Sequence, residues 1–134
     1  EIMEFEDWRA KAVYFYDADH NIVEFISRQK ITTEVPLPFT IQSVLSISEI
    51  GLVTDNIEPV YQKLDSLGVD VFDGNMHRFC AAGDDNGLFI IINPNVKNWF
   101  PTGEKAYYSP FDTEIVIGEN AHRLNYKKNE LQLK

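Results

Sequence analysis

Residues 14–25 read Tyr14-Phe15-Tyr16-Asp17-Ala18-Asp19-His20-Asn21-Ile22-Val23-Glu24-Phe25. Aromatic residues suit a pleated, half-buried strand. Asp and Asn then supply turn chemistry, because they tolerate left-handed backbone and bond to nearby amides. The return strand, Ile22 to Ser27, alternates: Ile22, Glu24 and Ile26 share one face, Val23, Phe25 and Ser27 the other. The whole stretch 8–28 is therefore expected to form a hairpin. A second hairpin is expected from His77 to about Asn93, with Arg78–Ala82 outgoing, a turn over 83–87 and Leu88–Ile92 returning. Laying Asp17 over Gly83 puts Asp19 on Asp85, Ile22 on Leu88, Val23 on Phe89, Phe25 on Ile91 and Ile26 on Ile92. Such self-similarity points to a duplicated supersecondary unit.

Between the hairpins, Ile57, Val60, Tyr61, Leu64 and Leu67 repeat at helical spacing, which predicts a helix over 56–67. Asp55 or Asn56 is expected to cap it and Gly68 to stop it, with Pro59 tolerated in the first turn. Ser43–Thr54 reads as a strand with Leu45, Ile47, Glu49, Gly51 and Val53 on one face, and Val69–Phe72 as a short strand. The connector 29–42 holds Thr32-Thr33-Glu34, Pro36 and Pro38, which argue against a central strand. Pro94, Pro101, Gly103 and Pro110 mark 93–111 as loop, and Thr113–Ile117 as one more strand. The stretch from Glu119 is polar and reads as a frayed helix or an extended arm.

The expected class is α+β: a βαβββ module at 43–118, preceded by the terminal hairpin of a truncated module at 1–28 and a linker at 29–42, and followed by a polar tail at 119–134. The upstream strand and helix of the first copy would lie before residue 1, so the chain reads as the C-terminal part of a longer protein. The formal charge is −9, with 21 acidic and 12 basic residues, a balance that repels nucleic-acid phosphates and anionic membranes. No apolar run approaches the roughly 20 residues of a membrane helix. Cys80 has no disulfide partner in the chain, which fits a reducing, cytoplasmic setting.

In these residues the chain resembles the vicinal-oxygen-chelate superfamily, which includes glyoxalase I, bleomycin-resistance proteins, extradiol dioxygenases and fosfomycin-resistance enzymes. The last hairpin of such a module has an aromatic strand, Asp-Pro-Asp-Gly-Asn, two apolar residues, then Glu and an apolar residue. Here Ala18 stands for the proline and His20 for the glycine. Ser48-Glu49-Ile50-Gly51-Leu52 through the helix, Gly68 and the second hairpin resembles a complete module, and Asn98-Trp99-Phe100-Pro101-Thr102 resembles a segment that follows it. The resemblance implies a glyoxalase-like, half-open curved sheet enclosing a cavity for a metal or small ligand. It implies pairing of modules, here a homodimer that exchanges the N-terminal hairpin.

It also nominates site residues. Glu24 stands where the family has a metal-ligating Glu, and a carboxylate between Ile22 and Ile26 is costly to bury without a counter-charge. The competing assignment is a solvated sheet edge. Glu49 stands where a His or Gln ligand is usual, and as an oxygen donor it still suits one divalent ion such as Zn, Ni, Mn or Fe. Ile90, the counterpart of Glu24, cannot bind metal. Trp99 and Phe100 are nominated as walls of a ligand pocket, against covering a sheet end. Arg78 is nominated to steer an anionic ligand, against a surface salt bridge. His20, His77 and His122 lack partners at metal-motif spacing, Cys80 reads as a buried thiol, and Asp17, Asp19, Asp84 and Asp85 as turn formers. Three roles stand open: a metal-dependent enzyme of glyoxalase or dioxygenase type, a non-catalytic binder of the bleomycin-resistance kind, and a structural dimerisation module.

Overall fold

The spacing of Ile57, Val60 and Leu64 produces the helix it predicts. In the structure, a computed structural model that describes residues 1–31, 35, 37–118 and 121–134, helix α1 spans Ile57–Asp65 and buries those three side chains. Its start differs from expectation in one detail. Asn56 is the N-cap, but its side chain does not cap. The Thr54 hydroxyl accepts from the Asn56 amide at 3.3 Å instead, and Asp55 is used elsewhere. Gly68 ends the helix as predicted: its φ of +78° suits a residue without Cβ, and the amide of Val69 reaches back to the Leu64 carbonyl at 3.1 Å.

The chain is mixed and sheet-rich, with one α-helix and ten strands in three sheets among the described residues. It divides into two units, Glu1–Ile47 and Ser48–Lys134. In the first, β1 (Met3–Phe5), β2 (Ala10–Tyr16) and β3 (Ile22–Arg28) form an antiparallel meander. Ala10, Ala12 and Tyr14 lie opposite Arg28, Ile26 and Glu24. Buried Arg28 lies 5.8 Å above the Trp8 ring. On the other face Phe25 touches Phe15 and Phe39, with ring centroids at 5.0 and 5.5 Å. Strand β1 was not anticipated, although Met3 and Phe5 alternate with exposed Glu4 and Glu6. Thr32, Thr33, Glu34 and Pro36 of the expected connector lie outside the described residues.

In the second unit, β4 (Glu49–Val53), β5 (Val71–Asn75), β6 (Phe79–Asp84) and β7 (Gly87–Ile92) pair in the order β4-β7-β6-β5. β4 runs parallel to β7, as a crossover through α1 requires, and the other pairs are antiparallel. β4 is shorter than its apolar pattern suggested. Leu45 and Ile47 lie outside any strand and are 61% and 94% exposed, so they do not share the Glu49 face. Each unit thus carries a three-stranded meander, but strand pairing differs by one residue. Glu24 faces Tyr14, whereas its counterpart Ile90 faces Ala81, the counterpart of Phe15. The turns cause the shift: five residues, 17–21, separate β2 from β3, and two, 85–86, separate β6 from β7.

The stretch after Glu119 is neither a frayed helix nor an arm. Glu119 and Asn120 are outside the described residues, but β9 (His122–Lys127) and β10 (Glu130–Leu133) form a hairpin that extends β8 (Thr113–Ile117) in the order β10-β9-β8. Leu124, Tyr126 and Leu131 join Leu52, Ile57, Leu64 and Ile91 in the main core. Tyr126 accepts from the Val53 amide at 3.1 Å and donates to the Val53 carbonyl. No helix among the described residues is long and apolar enough to cross a membrane.

Fully buried Leu131 gives the decisive check on this hairpin. Leu131→Ala is expected to cost about 2–5 kcal/mol in urea unfolding, the range for emptying a packed leucine site. A loose arm would show no shift in midpoint.

Candidate functional site

Strand alternation places Leu52 toward α1, so Glu49, Gly51 and Val53 face the other way. What covers that second face is decided by Gly51. A Cβ at position 51 would fall 2.7 Å from Cη2 of Trp99, so the indole sits directly on the backbone of β4. Trp99 packs there with Val53, Ile90, Ile92, Phe79 and Ala106. The chain therefore covers the middle of its own sheet with the loop of residues 93–111.

Polar contacts hold that loop down. Asn93 donates to the Asp55 carbonyl and Asn95 to the Asp55 carboxylate, each at 3.0 Å. Tyr108 also donates to that carboxylate, which raises its own phenol pKa because ionisation would lose the bond and bring two negative charges together. The carbonyl of Asn93 accepts from Val96 and Lys97, which turns the chain once before Trp99. Trp99 then closes a tight turn: its amide donates to Glu104 and its carbonyl accepts from Gly103, both at 2.8 Å. On the neighbouring hairpin Asn75 Oδ1 accepts from the amides of His77 and Arg78 at 3.0 and 2.9 Å, and the Arg78 carbonyl accepts from Asn93 at 3.2 Å.

These turns enclose a surface concavity of about 550 Å³ lined by Arg78, Asn95, Lys97, Asn98, Trp99 and Phe100 together with loop backbone. Lys97 is half-buried, with its ammonium 5.5 Å above the Phe79 ring. Burial first, and then the charge of Arg78, hold its pKa below the usual lysine value. Among the described residues neither Arg78 nor Lys97 makes an ion pair. The predicted surface salt bridge of Arg78 is thus not formed there. Among the described residues the lining holds no carboxylate, histidine, serine or cysteine.

Arg78 and the adjacent pair Trp99 and Phe100, nominated from two stretches, meet in this concavity. Trp99 covers the middle of the sheet rather than an end, and part of its ring lines the hollow. Glu24 and Glu49 lie elsewhere. Glu24 is half-buried on β3 with Ile22 and Ile26 on its face, and Glu49 is half-buried at the start of β4, in register with Leu88. Among the described residues no three His, Cys, Asp or Glu side chains converge to hold a metal.

The remaining candidates take structural parts. Asp17 accepts from the amides of Asp19 and Asn21 and from the Asn21 side chain, bonds that lower its pKa. Asp84 likewise caps its turn through the Asn86 amide. His20 stacks on Tyr16 with centroids 4.3 Å apart, and His77 and His122 are exposed. Cys80 is fully buried, and desolvation pushes its thiol up to about 11. Lys97 and Tyr108 were not singled out in the sequence. Lys97 carried a signal, as a cation two residues before Trp99. Asp55 had been read as a helix cap.

No family model matches this chain, and no curated protein matches it.

Two measurements follow from this geometry. Gly51→Ala is expected to unseat the indole and cost about 1–3 kcal/mol, as overpacking does. The same substitution in a Trp99→Ala background is expected to cost measurably less, because the clashing ring is gone; an additive cycle would separate the two residues. Cys80 is expected to resist a thiol reagent at pH 8 in native protein and to react once unfolded. With its thiolate disfavoured in the fold, stability is expected to fall as pH rises past the unfolded thiol pKa near ~8.5, where unfolding releases a proton.

Proposed function

We propose that this chain is a non-catalytic small-molecule-binding protein built on a glyoxalase-like module, with its ligand in the concavity between Arg78 and the 97–100 turn. The βαβββ order over residues 49–92, with β4 parallel to β7, supports the module reading. The meander of the first unit, of the same type as β5–β7, supports the duplication. One observation carries the binding reading: Arg78, from the second hairpin, and the adjacent pair Trp99 and Phe100, from the loop that follows it, line one hollow. Aromatic walls with a few placed polar groups are the usual make-up of a ligand pocket. Arg78 and Lys97, the charged groups of the lining, are placed to hold a ligand, which supports a binding role.

The test reads the Trp99 indole N–H by NMR, distinguished from Trp8 with a Trp8→Phe variant. Phenyl phosphate, benzyl alcohol and benzylammonium are titrated to millimolar concentration. At least one is expected to shift the Trp99 signal saturably, and Phe100→Ala is expected to weaken it severalfold. No saturable shift from any ring would overturn the reading.

A further inference from the structure

This chain has 21 acidic residues and a charge of −9. Yet Arg78 and Lys97, from a hairpin turn and a loop 19 positions apart in sequence, share one concavity with no ion pair for either among the described residues. They are held there actively. Asn75 fixes the backbone at Arg78, the 93–97 turn fixes that at Lys97, and the Phe79 ring lies beneath the ammonium. Bringing two like charges together is unfavourable unless something of opposite sign joins them. Among the described residues the lining provides no such group.

We infer that the concavity selects a planar aromatic molecule carrying an oxyanion, a carboxylate or a phosphate, whose charged group sits between Arg78 and Lys97. This rests on the binding reading above and adds the charge and class of the ligand. The guanidinium offers a fork of N–H donors matched to two oxygens, and the ammonium contributes a point charge from the other side. Phe100, 48% exposed, and the free part of the Trp99 ring offer flat apolar surface for the ligand ring. An anion there also offsets burial and the nearby Arg78 charge, the two causes that hold the Lys97 pKa down. The net acidic chain repels anions at long range, so this pair acts as a local exception, and its selectivity comes from contact rather than steering.

The same indole titration tests it, with benzoate added as the carboxylate arm beside phenyl phosphate. The anions are expected to bind at least about tenfold more tightly than benzyl alcohol or benzylammonium, and more weakly as salt screens the charges. Arg78→Gln and Lys97→Gln are each expected to remove most of that advantage, and Arg78→Lys to retain part of it. Amide spectra of each variant show whether the fold is kept, and Arg78→Lys and Lys97→Arg serve where a glutamine variant loses it. Whichever of benzoate and phenyl phosphate binds tighter identifies the anionic group. Equal binding of anionic, neutral and cationic rings, or anion binding that survives both charge removals, would overturn the inference while leaving the pocket intact. Failure of every ring would overturn pocket and inference together.

Discussion

The contact of the Trp99 indole with the bare backbone of Gly51 organises the second unit's functional face. A sheet packed by a helix on one side has a second face to cover. Here the cover is a single large ring, and it fits only because position 51 has no Cβ. Seating that ring brings the 93–111 loop down onto β4 and β7. Lys97 and Phe100 flank Trp99 in sequence, so anchoring the indole also sets them beside Arg78. Asp55 reinforces the arrangement from the other side, taking bonds from Asn95 and Tyr108 that a helix cap would have forgone.

This gives the packing of the sheet and the shape of the concavity a common origin. The indole contributes to the apolar layer with Val53, Ile92 and Ala106, and its remaining surface lines the concavity. The opposite face of the sheet is closed differently, by α1 and by the C-terminal hairpin, where Tyr126 bonds both polar groups of Val53. Val53 therefore sits between the two halves of the unit. Its side chain packs with the loop and its backbone is tied to β9. Such a scaffold holds a pocket on packed elements rather than on a free loop, which favours a preformed site.

Much of the fold was legible because its signals are local. Helical spacing from Ile57 to Leu64, the stop at Gly68, the two acidic turns and the strand at Thr113–Ile117 each depend on residues close in sequence. The errors arose where composition and contact disagree. Leu45 and Ile47 looked like core by alternation, but no partner strand reaches them. Leu124, Tyr126 and Leu131 were masked by charged neighbours, although each sits on the inward phase of a strand. Asp55 carried cap chemistry, yet two side chains from 40 and 53 residues downstream claimed its carboxylate.

The sequence by itself determined the order of strands and helix, the turn chemistry and the types of residue suited to a site, because backbone preferences and periodicity act over a few residues. Only the tertiary structure decided which of those residues meet. It joined Arg78 to Lys97, Trp99 and Phe100, and it left Glu24 and Glu49 in settings of their own. The physical reason is that convergence depends on strand register, on the space left by one missing Cβ and on bonds that close across dozens of residues, and none of these is encoded at a single position.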